Sequence, residues 1–423
     1  MTQSALSKLT ILPTTAALTG RVMPPGSKSI TNRALLVAAL AKGTSRLSGA
    51  LKSDDTRYMA QALRDMGVEI AEPDETSFIV TSDGRLKAPT APLFLGNAGT
   101  ATRFLTAAAA LVDGTVVVDG DEHMRKRPIL PLVAALTRLG VAIEALSGCP
   151  PVTIQGQGGF DGGLVEVDGG LSSQYVSALL MAGACARNPV DVVLTGQEIG
   201  ARGYVDLTLA TMRAFGAEVS EPESGGWRIA PTGYVAIDYL IEPDASAATY
   251  LWAAEVLTGG AIDLGVPASA FTQPDAKAHA LIAAFPNLPA VIDGSQMQDA
   301  VPTLAVLAAF NRTPVRFTGI ANLRVKECDR VAALAQGLSR IRPGLGVEEG
   351  DDLLVASDPA LAGQTLPAEI DTFADHRIAM SFALAGLKIG GITILDPGCV
   401  AKTYPDYWRA LGSLGVRFEG ELP

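Results

Sequence analysis

A helix-opening pattern returns six times along this chain of 423 residues. Apolar runs led by a small or charged polar residue begin at Ser29, Thr100, Ser173, Ser246, Thr303 and His376, at intervals of 71, 73, 73, 57 and 73 residues. Near-equal spacing marks an architecture built from one repeated supersecondary unit. Each run ends near a glycine- or proline-containing turn. A β-branched stretch then follows: Val116-Val117-Val118, Val190 to Leu194, Ala261 to Leu264, Val315-Arg316-Phe317 or Ile392 to Leu395. A second helix comes next and closes on a glycine, as in Leu63-Arg64-Asp65-Met66-Gly67-Val68, and again at Gly140, Gly216 and Gly415. That glycine fits a left-handed C′ cap, and the alternation after it fits a half-buried strand. The copy at Gly346-Val347 is looser, and the fourth, Ala284-Phe285-Pro286-Asn287-Leu288, has no glycine.

The expected fold is therefore α/β: six βαβαββ-like repeats, three per domain, with mixed sheets and central apolar helices. A boundary near Tyr239 to Pro243 divides the six into two sets, and the length also favours two domains over one core. The polar residues that open the helices differ from unit to unit. A stacked scaffold does not need that variation; a site assembled from helix ends does.

A net charge of −11 disfavours nucleic acid or an acidic membrane as partner, so an anionic ligand must be caught by local cations. Cys149, Cys185, Cys328 and Cys399 have no metal-ligand spacing and read as reduced thiols. The first twenty residues lack the layout of a signal peptide, and no apolar run approaches the roughly 18 residues of a membrane span. These features point to a soluble, cytoplasmic protein with no metal.

Chemistry-bearing residues gather at the helix openings. Pro24-Pro25-Gly26 leads into Ser27-Lys28-Ser29, a turn that delivers a cation to a helix start, where unpaired N–H groups favour an anion. A plain serine cap beside a solvated lysine accounts for the same residues. A phosphate-binding P-loop requires Gly-Lys-Ser/Thr, which is absent here. Gly96-Asn97-Ala98-Gly99-Thr100 permits close backbone approach before a helix that carries Arg103, which otherwise reads as part of a surface pair. Arg125, Lys126 and Arg127 form a basic loop. Ser172-Ser173-Gln174 opens the third helix. Asp299 precedes the fifth and by itself is an ordinary cap. More pointed are Asn322 to Arg330, with six polar or charged residues in nine, and Asp371 to Arg377, where acid, imidazole and guanidinium open an apolar helix. Lys402 stands at a last helix start.

These segments, PGSKSITNRALL (25–36), LFLGNAGTATR (93–103), LSSQY (171–175), NLRVKECDR (322–330), DHRIAM (375–380) and AKTYPDY (401–407), resemble in sequence and order the 5-enolpyruvylshikimate-3-phosphate (EPSP) synthase family of enolpyruvyl transferases. The resemblance implies a two-domain inverted α/β barrel. One domain would span 21–240 and the other 1–20 with 241–423, with the site in the cleft between them and closure on substrate. It implies transfer of the enolpyruvyl group of phosphoenolpyruvate to the 5-hydroxyl of shikimate 3-phosphate, through a tetrahedral intermediate, in the shikimate pathway. It also implies no cofactor and a monomer. Lys28, Ser29, Arg33, Ser172, Ser173, Gln174, Tyr204, Asp299, Asn322 and Lys326 would bind shikimate 3-phosphate. Lys28, Asn97, Gly99, Thr100, Arg127, Gln174, Arg330, Arg377 and Lys402 would bind phosphoenolpyruvate. Asp299, Glu327, Lys28, His376 and Lys402 would carry the catalysis.

Two positions depart from the family pattern. Ala201 stands where many members place a serine on the 3-phosphate, and Phe104 where a proline commonly follows the arginine. Gly99 matches the form sensitive to the inhibitor glyphosate. The nearest rival, the transferase that uses UDP-N-acetylglucosamine, usually carries a loop cysteine, which Asp121 to Pro128 lacks. A rival of another class is a non-catalytic anion-binding repeat protein.

Overall fold

The computed structural model describes residues 7–168, 172–195, 202–223 and 225–423. The chain divides into two compact units, Gly26–Glu242 and Met1–Pro25 with Pro243–Pro423. Each has its own apolar core.

In the Gly26–Glu242 unit, three helices lie at the centre: Lys28–Leu40, Gly99–Ala108 and Ser173–Gly183. They are buried on nearly every face, as a core helix that is apolar all round must be. Three sheets share one pattern around them. In one, Gly163–Asp168 runs parallel to Val190–Thr195, which is antiparallel to Trp227–Ile229, itself antiparallel to Val219–Ser220. Leu93–Phe94, Asp113–Asp119, Val152–Gln157 and Ala142–Glu144 repeat that order. So do Tyr234–Val235, Ala41–Ser48, Ser77–Asp83 and Glu69–Asp74, with Tyr239–Leu240 also pairing along Ala41–Ser48.

The other unit repeats the plan with Ala245–Thr258, Val301–Ala308 and His376–Gly386 at its centre. The strand Lys8–Leu12 fills the third place of the last sheet, between Gly390–Leu395 and Arg417–Glu419.

The C′ glycines take the left-handed conformation expected: φ is 87° at Gly67, 83° at Gly140, 85° at Gly216 and 99° at Gly415. In the fifth copy the left-handed glycine is Gly344, with φ 78°, and Gly346 begins the strand Gly346–Glu349. The fourth copy departs from the six-fold expectation. After the helix Ala278–Ala283 the chain passes to Val291–Asp293, the first strand of the next sheet, with no intervening pair of strands. Its sheet has two strands, Ala261–Asp263 and Thr19–Arg21. The missing glycine and the short 57-residue interval have this one cause. Among the described residues no helix is long and apolar enough to cross a membrane.

Candidate active site

Seven lysines and arginines are buried among the described residues: Lys28, Arg33, Arg103, Arg127, Arg330, Arg377 and Lys402. A buried unpaired cation costs several kcal/mol, so each must be held by a partner.

In the Gly26–Glu242 unit the cations stand near the starts of central helices, and their holders come from those helices and from their neighbours. Ser27 caps the first helix by accepting from the Ile30 N–H, and Lys28 Nζ lies 3.7 Å from the buried Asp55 carboxylate. The lysine is therefore enclosed, and the picture of a solvated lysine is ruled out. Arg33 donates from Nε to Thr208 Oγ1 (2.7 Å), and through its η nitrogens to the Ser29 carbonyl (2.8 Å), the Tyr204 carbonyl (2.9 Å) and Ser177 Oγ (3.3 Å). Its guanidinium stands over the Phe104 ring, 5.1 Å from the centroid. Burial pushes its pKa down to about 10. Ser29 and Gln174 are the less enclosed residues of their first turns, and Gln174 Nε2 reaches Thr100 Oγ1 at 3.4 Å. Ser172 caps the third helix through the Gln174 N–H, with Ser173 following it.

Arg103 is not in a surface pair. It donates to the Gly99 and Pro128 carbonyls at 3.2 and 3.0 Å, and Tyr175 Oη also donates to Pro128, at 2.6 Å. The basic loop is thereby tied to two helix starts. Arg125 pairs with Asp119, Lys126 is exposed, and Arg127 turns inward to Asn97 Oδ1 at 3.1 Å. A Cβ on Gly99 would sit 2.7–2.9 Å from the Arg127 guanidinium, so glycine there permits this approach.

The other unit holds a tighter group. Arg330, at the start of the helix Arg330–Ile341, contacts three carboxylates: Nε to Asp375 at 2.7 Å, one η nitrogen to Asp299 at 3.0 Å and the other to Glu327 at 2.6 Å. Burial alone would depress its pKa, and the carboxylates more than reverse that, holding it above its ordinary value. Asp299 also accepts from Arg377 at 2.6 Å, and Glu327 lies 3.6 Å from Lys402 Nζ. The N-cap of the helix Val301–Ala308 is Ala300, and Asp299 beside it meets Arg330 and Arg377. Asp375 caps the helix His376–Gly386 and accepts from the Arg377 N–H at 2.9 Å. His376 is buried with Nδ1 3.6 Å from Asp375. Phe373 and Ala374, just before it, hold left-handed φ values of 52° and 53°, a strain typical of functional segments. Asn322 Oδ1 is buried without a hydrogen-bond partner, and Lys326 is half-buried.

Sequence reading assigned no role to Asp55, Ser177, Thr208 or Asp375. Only Asp375 carried a signal, as the acid directly before His376-Arg377. Ala201 lies outside the described residues. Its neighbour Arg202 pairs with Glu221 at 3.2 Å.

Comparison with known proteins gives these ion-holding helix ends a family. The family model of EPSP synthase (3-phosphoshikimate 1-carboxyvinyltransferase) matches residues 12–411. The 3-phosphoshikimate 1-carboxyvinyltransferase of a Rhizobium etli strain is 73% identical over 418 residues, covering 99% of each chain. That of Pseudomonas syringae pv. syringae is 71% identical over 408 residues, covering 96% of this chain and 98% of its own. Among solved structures, EPSP synthase from Acinetobacter baumannii superposes with a TM-score of 0.79 at 27% identity, covering 98% of this chain and 100% of its own. The enolpyruvyl transferase NikO from Streptomyces tendae shares the fold, with a TM-score of 0.71 at 18% identity over 99% of this chain and 100% of its own. By sequence over nearly its whole length and by fold, this chain belongs to the EPSP synthase family.

Proposed function

We infer that this chain is an enzyme that transfers the enolpyruvyl group of phosphoenolpyruvate to the 5-hydroxyl of shikimate 3-phosphate and releases phosphate. One observation supports the reading most directly. Six of the seven buried cations are residues that the family pattern assigns to the two anionic substrates, in a protein of net charge −11. The seventh, Arg103, is committed to backbone carbonyls.

Ser29, Arg33, Ser172, Ser173, Gln174, Tyr204, Asn322 and Lys326 bind shikimate 3-phosphate in this proposal. The orphaned Asn322 carbonyl oxygen suits a hydroxyl donor. Four of the five Arg33 N–H groups are donated within the protein, which leaves one for a substrate oxygen. Lys28, Asn97, Gly99, Thr100, Arg127, Gln174, Arg330, Arg377 and Lys402 bind phosphoenolpyruvate. Asp299 takes the proton of the 5-hydroxyl as that oxygen attacks the enol carbon, and Glu327 protonates the methylene to give the tetrahedral intermediate. Glu327 then removes a proton from the methyl group so formed while the carbon–oxygen bond to phosphate breaks, which restores the methylene. Lys28 and Lys402 stabilise the charge that develops on the departing phosphate, and Lys28 shares the base role. His376 positions Glu327 or the phosphate. No cofactor takes part, and the protein works in the cytoplasm as a monomer. In this reading the domains span 21–240 and 1–20 with 241–423.

The test is phosphate release from phosphoenolpyruvate with shikimate 3-phosphate or UDP-N-acetylglucosamine as acceptor. Release with shikimate 3-phosphate alone is expected, lost by about a thousandfold or more in Asp299→Ala and Glu327→Gln. Release with the sugar nucleotide alone, or with neither, rejects the proposal.

A further inference from the structure

We propose that Asp299 and Glu327 occupy the anion sites of phosphoenolpyruvate in the unligated protein, so that substrate binds by displacing the two catalytic carboxylates. This inference rests on the proposed function of the site.

The six charged groups divide by how they are held. Asp299 bridges two cations, Arg330 at 3.0 Å and Arg377 at 2.6 Å. Glu327 bridges the same Arg330, at 2.6 Å, to Lys402, at 3.6 Å. Each carboxylate sits where an oxyanion of a ligand would sit, between convergent N–H donors. Asp375 differs. It meets Arg330 through the Nε edge, caps a helix through the Arg377 N–H, receives Cys328 Sγ at 3.6 Å and is fully buried. It fixes Arg330 from behind, with a longer second contact to one η nitrogen at 3.4 Å, while the shorter bonds of the η nitrogens go to Asp299 and Glu327. Among the described ion pairs three cations face three carboxylates, so these charges balance without a ligand. A ligand with a carboxylate and a phosphate can restore that balance only if protein carboxylates leave, because extra negative charge in a buried site is costly.

The consequence is kinetic as well as electrostatic. A carboxylate held by two cations is a weak base, since its charged form is stabilised. Displacement frees Asp299 and Glu327 for proton transfer only once phosphoenolpyruvate has taken the cations. Binding and activation of the acid–base pair become one event.

The experiment is calorimetric titration of the full-length protein with inorganic phosphate and with phosphoenolpyruvate, in wild type, Asp299→Asn, Glu327→Gln and Asp375→Asn. Asp299→Asn and Glu327→Gln are expected to bind both anions about tenfold more tightly than wild type. Asp375→Asn is expected to bind them more weakly, because Arg330 loses its anchor. Equal tightening in all three would show only the loss of a nearby negative charge and would overturn the proposal, as would unchanged or weaker binding in Asp299→Asn and Glu327→Gln. If one of those two variants does not fold, the other carries the same comparison at its own end of Arg330. Inorganic phosphate binding needs no turnover, so wild-type silence in the acceptor assay counts against the proposed function alone.

Discussion

Arg33 shows how a single side chain is made ready. Its η and ε nitrogens are donated to Ser29, Thr208, Ser177 and Tyr204, and its face rests on Phe104. A cation over a buried ring contributes about 1–2 kcal/mol. Phe104→Leu keeps an apolar side chain of somewhat smaller volume and removes the ring. The shikimate 3-phosphate KM is expected to rise about three- to tenfold, while the phosphoenolpyruvate KM stays within twofold. Steady-state kinetics with each substrate varied in turn checks this; parallel movement of both KM values would show general loosening instead. Lys28, Arg33, Arg330 and Arg377 were legible in the sequence because each stands at or near the start of a helix that a turn signal announces, whereas Arg127 and Lys402 lie at the ends of short 3-10 turns. Their holders were not. Arg33 meets Thr208 and Ser177, and Lys28 meets Asp55, across intervals that no local pattern spans. The role of Phe104 is equally hidden, since its ring serves a helix 71 residues away in register.

Elements repeat because one capping device repeats. Gly67, Gly140, Gly216 and Gly415 each end a helix in the left-handed conformation, where any other residue pays steric strain of about 1–2 kcal/mol. At Gly140 an added methyl meets nothing within 4 Å. Gly140→Ala is therefore expected to cost that strain alone, with activity retained. Gly156 contrasts with it. An added methyl there would stand 2.1 Å from the Val112 carbonyl oxygen and 2.9 Å from that of Ala109, backbone atoms that cannot swing aside. Gly156→Ala is expected to cost about 3 kcal/mol or more. Urea unfolding of the two variants separates them, and equal losses would contradict the packing seen in the strand Val152–Gln157. The alternation of strands and helices was legible from the β-branched runs and these glycines. The loss of two strands from the fourth repeat was written as a short interval, but only the structure shows that Thr19–Arg21 supplies the parallel first strand beside Ala261–Asp263 and that the antiparallel third and fourth strands are the ones missing.

At the scale of the whole molecule, the two compact units differ in how the chain builds them. Gly26–Glu242 is one continuous stretch whose sheets are all drawn from within it. The other unit borrows both of its earliest strands. Lys8–Leu12 sits in the interior of a four-stranded sheet, with Leu9 opposite Ile394 and Ile11 opposite Phe418, and Leu9 and Ile11 are fully buried. Thr19–Arg21 is the partner of Ala261–Asp263. Without residues 1–25, the strands Gly390–Leu395 and Arg417–Glu419 lose their common neighbour and expose unpaired edges to water. A fragment of residues 26–242 is therefore expected to unfold cooperatively on heating. A fragment of residues 243–423 is expected to show no cooperative transition. Joining residues 1–25 after residue 423 should restore one, because Thr10 already pairs with Glu419 and the connection is short. Circular dichroism melts of the three polypeptides make the comparison. A cooperative transition in 243–423 alone, at the temperature of the rejoined chain, would mean that the borrowed strands are dispensable to that core.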